Sequence, residues 1–182
     1  MRPAIALFAA VLVGYAAGAI FTAQAFGAST VSAFFPAAGV SVAAMLLNRV
    51  SRWPVIVAAV ATAELLVDFS HGMSWPAASG FLLAELVEPL VGATLVRAWC
   101  GGTPDLRRTR DLVVFVVGAC LAAPLTGGLV EGVASHLIDG ASIMGTALQW
   151  SSGDGIGILV VGSSILLWPR QSHILKARPV ET

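Results

Sequence analysis

Charged side chains are scarce in this sequence, and lysine is almost absent from it. Only 11% of the 182 residues are charged, whereas soluble domains have about 25%. The single lysine, Lys176, lies near the C-terminus, which excludes a retinal or pyridoxal Schiff base inside a helical bundle. A phosphate-binding loop is also missing, because the GGTPDL segment at 101–106 has the wrong spacing and no lysine.

Long apolar runs stand where a soluble protein would have charge. The composition is 57% hydrophobic and the mean hydropathy is +0.87. A helix of about 18 apolar residues can cross a membrane, and it satisfies its own backbone hydrogen bonds there. The runs that reach or approach this length are Pro3–Thr22, Ser32–Asn48, Trp53–Val67, Trp75–Val96, Leu112–Leu137 and Ala141–Trp168. The sequence therefore predicts an all-α, polytopic transmembrane bundle of about six helices over residues 1–170, followed by a short tail at 171–182.

The cations are distributed on one side of these predicted spans. They occur only at the N-terminus, in the second and fourth connections, and at the C-terminus: Arg2, Arg49, Arg52, Arg97, Arg107, Arg108, Arg110, Arg170, Lys176 and Arg178. Cytoplasmic loops carry the excess of Arg and Lys, so this pattern predicts cytoplasmic termini in a multi-pass membrane protein. A signal peptide cleaved after Ala25 is an alternative, and it would leave the remaining loops on the same sides.

Proline and tryptophan mark boundaries along the chain. Trp-Pro pairs at 53–54 and 75–76 predict helix starts, since proline suits the first helical turn and tryptophan suits the membrane interface. Pro36 comes early in the second run and predicts a break or a half-helix there. Pro89 predicts a kink in the middle of the fourth span.

Acidic residues are placed where a membrane protein can least accommodate them. Glu85 and Glu88 lie near the middle of the fourth span, on one helix face because they are three residues apart. Asp154 lies near the middle of the last span, in the segment WSSGDGIG. The candidate ligand- or ion-binding residues are Glu85, Glu88, Asp154, Trp150, Glu64 and Glu131.

A carboxyl at the bilayer centre costs about 2.5–3.5 kcal/mol on insertion scales, so these acids need partners. No protein cation lies at their depth, which leaves a proton, a metal or sodium ion, a cationic ligand, or hydroxyl, indole and backbone donors. Two neighbouring carboxyls also favour sharing one proton. Alternatively, protonated acids join helices through hydrogen bonds, and Glu64, Asp68 and Glu131 face water at the outer surface. The sequence identifies no metal and requires no cofactor.

Some segments are similar to catalytic motifs but lack residues that those motifs require. SSGDG is similar to the GxGD motif of intramembrane aspartyl proteases, but it lacks the first glycine and a second aspartate in a matching helix. Ser151 or Ser152 with His136 has no nucleophile-elbow pattern. A zinc site from His71, His136 and Glu131 has no supporting ligand spacing. We therefore expect no enzymatic activity.

The order of motifs resembles the MASE type-one family of bacterial membrane-associated sensor domains, over most of Pro3 to Trp168. That family has a WPPAG-like segment, a basic Trp-Pro turn, a glutamate-bearing helix ending in arginine, a basic connector with RD, and a W..GD..G element. The corresponding segments here are FFPAAGVSVAAMLL, RVSRWP, LAELVEPLVGATLVR, RRTRDLVVF and WSSGDGIGILVV. FFPAAG lacks the usual tryptophan and second proline, and the family commonly has about eight helices.

The resemblance implies a sensory, signal-transducing module that works with a cytoplasmic histidine kinase or a cyclic-di-GMP output partner, commonly as a homodimer in the lipid membrane and without nucleic acid. The sequence given stops at Thr182, as would either a stand-alone sensor or part of a longer one. A small-solute transporter, or the substrate-binding subunit of an energy-coupling transporter, is the alternative. Carriers place the substrate at a broken helix near the midplane, and Pro36 and Gly153–Gly155 could supply such breaks.

Overall fold

The described part of the protein consists of helices and short connections. The computed structural model describes residues 2–26 and 33–168, and no strand occurs among them. The helices are α1 (Arg2–Phe26), α2 (Pro36–Leu47), α3 (Trp53–Ser70), α4 (Trp75–Cys100), α5 (Thr109–Phe115), α6 (Ala123–Asp139) and α7 (Ile143–Gly157). The π-helical segment Val116–Ala122 joins α5 to α6, and a second one, Ile158–Gly162, continues α7.

Five stretches within the described ranges are long and apolar enough to cross a membrane. They are Pro3–Phe26, Val50–Ser70, Trp75–Cys100, Thr109–Asp139 and Ile143–Trp168. The predicted all-α multi-pass membrane fold is therefore confirmed. Both Trp-Pro pairs open helices, α3 and α4, as predicted.

The predicted second span is the exception, because its helix is short. α2 has 12 residues and begins at Pro36, after Phe35 in an extended conformation (φ −122°, ψ 90°). Proline fixes its own φ and has no N–H to donate, so it suits the first helical position and disfavours helix before it. The predicted break at Pro36 is confirmed. The start of the predicted span, Ser32, lies outside the described residues.

α2 is the best-shielded helix of the bundle despite its length. Eight of its 12 residues are buried, and it packs against α1, α4, α7 and the segment Ile158–Gly162. α1 packs along α3, and α6 packs along both α4 and α7. The large apolar side chains on the outside of the bundle, such as Leu83, Leu121 and Leu148, suit contact with lipid.

The two ends of the bundle differ in charge. Arg49, Arg52, Arg97 and the arginines at 107–110 lie in or beside the 48–52 and 101–108 connections, and we call this the basic end. Arg97 joins these connections by donating to the carbonyls of Leu46 and Asn48, at 3.2 Å each. The opposite end, where α3 and α6 finish near His71 and His136, is called the far end.

Candidate functional site

Asp154 lies on α7 among glycines, and these glycines let the backbone that leads into α2 pack closely against α7. The Phe35 N–H donates to the Gly153 carbonyl at 3.1 Å. Gly157 lies so close to the Phe35 carbonyl that an added Cβ could not fit. An added Cβ at Gly155 would come within 2.5 Å of the Cys120 carbonyl oxygen. The glycines of GDGIG therefore allow close backbone packing against both Phe35 and Cys120. Asp154 is buried between these glycines.

The Cys120 carbonyl is available for this contact because of Pro124. Proline has no N–H, so Pro124 cannot donate the ordinary helical hydrogen bond to the residue four positions earlier. The backbone responds locally with the π-helical segment Val116–Ala122, and π-bulges of this kind occur frequently at functional sites. A similar deficit arises in α4, which continues through Pro89, so that the Glu85 carbonyl lacks that donor.

Glu88 of α4 contacts the buried face of α7. The indole Nε1–H of Trp150 donates to Glu88 Oε2 at 3.1 Å, and the Trp150 ring packs against Phe81 with ring centroids 5.3 Å apart. The side chains of Glu88 and Asp154 lie within hydrogen-bonding reach of each other. Glu88 is fully buried and Asp154 is 5% exposed.

Tyr15 of α1 connects the third and fourth helices to this point. Its hydroxyl donates to Glu64 Oε2 at 2.9 Å and also lies within hydrogen-bonding reach of the Glu85 carboxyl. The sequence analysis missed Tyr15. The available signal was that it is the only tyrosine of the chain and that it lies at the middle of an otherwise apolar span, between Gly14 and Gly18.

We call the interacting acids the acidic cluster: Glu64, Asp68, Glu85, Glu88 and Asp154. Their side chains are at most 6% exposed and they interact electrostatically with one another across α3, α4 and α7. Within the described ranges no arginine or histidine forms an ion pair with any of them, and the ion pair found there joins Arg108 to Asp105. The buried oxygens that accept no hydrogen bond include Asp68 Oδ2, Glu85 Oε2, Glu88 Oε1 and Asp154 Oδ2.

Glu131 lies beside this group without joining it by a hydrogen bond. Its Oε1 accepts from Ser135 at 2.6 Å, whereas its buried Oε2 has no donor. Glu131 is 3% exposed, Glu64 4% and Asp68 6%. The alternative in which these three acids face water is therefore wrong, because neighbouring helices cover them.

The histidines do not complete a metal site. His71 and His136 are both exposed, and Nδ1 of each lies within 3.0 Å of a local backbone carbonyl, that of Val67 and Ala141 respectively. Across residues 2–26 and 33–168, no three His, Cys, Asp or Glu side chains converge as metal ligands. The zinc arrangement of His71, His136 and Glu131 is not formed.

Five of the six candidate residues therefore lie together, namely Glu64, Glu85, Glu88, Trp150 and Asp154, while Glu131 lies beside them. Ionised carboxylates in such a place are strongly destabilised unless a positive charge or a proton compensates them. Chemically, the group can hold protons, bind a small cation, or hold helices together through shared hydrogen bonds.

Comparison with known proteins gives one family and no individual relative. No curated protein and no solved structure matches the chain significantly. The model of the MASE1 family matches residues 5–173, nearly the whole chain, and so bears out the resemblance drawn from the motifs. The chain therefore belongs to the MASE1 family and is a membrane-associated sensor domain.

Proposed function

We propose that the protein is a non-enzymatic sensory module of the bacterial inner membrane that binds an ion or a small ligand through Glu85, Glu88 and Asp154. The ligand reaches them from the outer side, and its binding alters how the helices pack. The altered packing is relayed to a cytoplasmic partner or output domain, such as a histidine kinase or a cyclic-di-GMP enzyme, with the module acting as a homodimer.

One observation carries this proposal: buried carboxyls from α3, α4 and α7 meet, and no cation of the described residues lies among them. Any species that brings positive charge to them stabilises the arrangement in which they are close together. A ligand shifts a conformational equilibrium only through different affinities for the two states, and this site supplies such a difference. Hydrogen-bonded packing alone would not require oxygens that lack a donor.

A connection from the site to the basic end supports the relay. α4 carries Glu88 near its middle and Arg97 in its last turn, where Arg97 donates to the end of α2. α2 in turn begins at α7, beside Asp154, through the bond from Phe35 to Gly153. A shift of α4 against α7 would therefore reach the basic end through two routes. The positive-inside rule supports a cytoplasmic location for that end.

A substrate-binding role in transport is the second candidate. The observation in its favour is the broken entrance to α2, where an extended residue precedes Pro36 beside Gly153 inside the bundle. Reconstituted vesicles distinguish a carrier from a sensor, because a carrier moves solute across them and a sensor does not.

The experiment that tests the sensory site measures thermal stability of the reconstituted chain over a range of pH and candidate ligands. Glu85→Gln, Glu88→Gln and Asp154→Asn retain side-chain shape but remove the ionisable group. We expect at least one of them to lose a ligand- or pH-dependent stabilisation that the parent shows. Asp139→Asn, at an exposed acid of the far end, is the control and should respond like the parent. Parental behaviour of all three variants in every condition would leave the acids as packing elements only.

A further inference from the structure

The contact between Glu88 and Asp154 is incomplete without a proton. Both side chains are buried, and each is an acceptor when ionised. Trp150, whose indole donates to Glu88, lies one helical turn before Asp154 on α7, so the two carboxyls share one contact between α4 and α7. Glu88 Oε1 and Asp154 Oδ2 accept nothing from the residues that the structure describes, and the donor that these residues supply to the pair is the indole of Trp150. Two carboxylates would repel each other here, whereas one added proton makes an O–H···O bond between them.

Space around Glu88 favours a proton over a larger species. A Cβ added at Gly127 would come within 2.9 Å of Glu88 Oε2 and 3.1 Å of its Cβ, so α6 already fills that side. The Trp150 indole occupies another side. The described side chains also provide no three-ligand arrangement for a metal. A proton needs neither an open cavity nor a coordination shell.

The other members of the cluster extend from this pair toward the far end. Glu85 lies three residues before Glu88 on α4 and interacts with it electrostatically. Tyr15 lies between Glu85 and Glu64. Asp68 follows Glu64 by one helical turn on α3 and interacts with the exposed His71.

Building on the proposed function, we infer that the ligand of this module is the proton. The Glu88–Asp154 pair holds one shared proton, and protons reach the pair from the far end through the rest of the acidic cluster and Tyr15. Loss of the shared proton places two adjacent negative charges on α4 and α7, which repel each other and favour separation of these helices. This supplies the two packing states that a sensor requires.

The transfer at Tyr15 is balanced and needs no other reactant. A protonated Glu64 donates its O–H proton to the Tyr15 oxygen while Tyr15 releases its own hydroxyl proton to the Glu85 carboxylate. One O–H bond breaks and one forms at each oxygen pair, Tyr15 ends neutral, and the negative charge moves from Glu85 to Glu64. The hydroxyl then turns back to Glu64, where it is found in the structure.

Several titratable groups near the pair enter any measurement of its pH response. α2 contributes none, since its sequence PAAGVSVAAMLL has no ionisable side chain. The groups on the remaining elements packed around the pair are Tyr15 on α1, Glu64 and Asp68 on α3, Glu85 on α4, Cys120 in the π-helical segment and Glu131 on α6.

Infrared difference spectroscopy of the full chain in lipid tests the shared proton directly. We expect a carboxylic acid C=O band that shifts in D₂O and disappears as the pH is raised. Glu88→Gln and Asp154→Asn should each remove this same band, because the proton belongs to both residues, and Asp139→Asn should retain it. Persistence of the band in either pair variant, or its absence from the parent at every pH, would overturn the inference.

The route is tested by Tyr15→Phe, which keeps the ring and removes the hydroxyl. We expect the band to remain and its hydrogen–deuterium exchange to become several-fold slower. Unchanged exchange would show that protons reach the pair by another path.

Sodium chloride titrated at constant pH separates this inference from the proposed function. If sodium changes the carboxyl bands and protons do not, the proton inference fails while a cation-binding sensor stands. If neither changes them, the proton inference fails and the proposed site binds neither sodium nor protons, which leaves it only other ligands. The parent chain alone decides this question, so a variant that does not fold leaves it answerable.

Discussion

The basic end and the acidic cluster differ in how completely their polar groups are hydrogen-bonded. At the basic end, Arg97 donates to two carbonyls, Arg110 donates to the Trp99 carbonyl at 2.8 Å, and Arg108 pairs with Asp105. Asp111 is buried there as well, but its Oδ2 accepts from the Asp105 N–H at 2.9 Å. In the acidic cluster, each of four side chains retains a buried oxygen with no donor.

The basic end is therefore a structural network, whereas the acidic cluster is a network whose charge can change. Arginine and backbone carbonyls keep their protonation state at any accessible pH, so the bonds of Arg97 and Arg110 do not depend on pH. Carboxyls gain and lose protons, and inside a bundle each ionisation changes the electrostatic energy strongly because solvent cannot screen it. Substitution of Arg97 should therefore cause the same stability loss at every pH, and substitution in the acidic cluster a pH-dependent one.

The largest effect is expected where the backbone itself would be displaced. Gly157→Val places a branched side chain against the Phe35 carbonyl, and overpacking of this kind should reduce the free energy of unfolding by about 3 kcal/mol, the upper end of its usual range. Unfolding in mixed micelles, followed by circular dichroism, measures it. Gly118→Ala is the control, because its added Cβ would meet only side chains at 3.4 Å or more. Equal stability of the two variants would mean that α2 is not seated on α7 as described.

An intermediate effect is expected at the basic end. Arg97→Met keeps the apolar stem and removes the donors to Leu46 and Asn48, which should cost about 1.5–3 kcal/mol, as for hydrogen bonds made by charged groups. The same unfolding experiment should give the same loss at acid and neutral pH. Arg107→Met, at an exposed arginine, should have little effect. A loss for Arg97→Met that varies with pH would break the distinction between the two regions.

The sequence predicted the spans well and the site in part, for physical reasons. Hydrophobic length is a direct consequence of bilayer thickness, so the runs alone located α1, α3 and α4 closely. The intramembrane acids stand out because each is costly in a membrane, which is why the sequence alone predicts a site at Glu85, Glu88 and Asp154. Tyr15 gave a weaker signal, since a phenol in an apolar helix costs less than a carboxyl, and its partner Glu64 is 49 residues away.

The packing of α2 against α7 could not be predicted from the sequence either. Pro36 predicts a break, but only the packed structure shows that the residue before it bonds to Gly153 and that Gly157 makes room for it. Such contacts depend on two distant backbones meeting, and one-dimensional patterns carry no distance information. The GxxxG spacing of Gly153 and Gly157 is equally compatible with any close helix contact.

The smallest effect is expected at Trp150, whose indole donates a single hydrogen bond to Glu88. Trp150→Phe keeps an aromatic ring beside Phe81 but removes the donor to Glu88, which should cost about 0.6–1.7 kcal/mol, as for other hydrogen bonds between membrane helices. In a Glu88→Gln background the same change should cost a different amount, because the indole there meets an amide instead of a carboxyl. Trp75→Phe, at an exposed tryptophan stacked on Phe69, is the control. Identical costs in the two backgrounds would show that the indole stabilises the fold without interacting with the Glu88 carboxyl, and the chargeable site would then be limited to the acids alone.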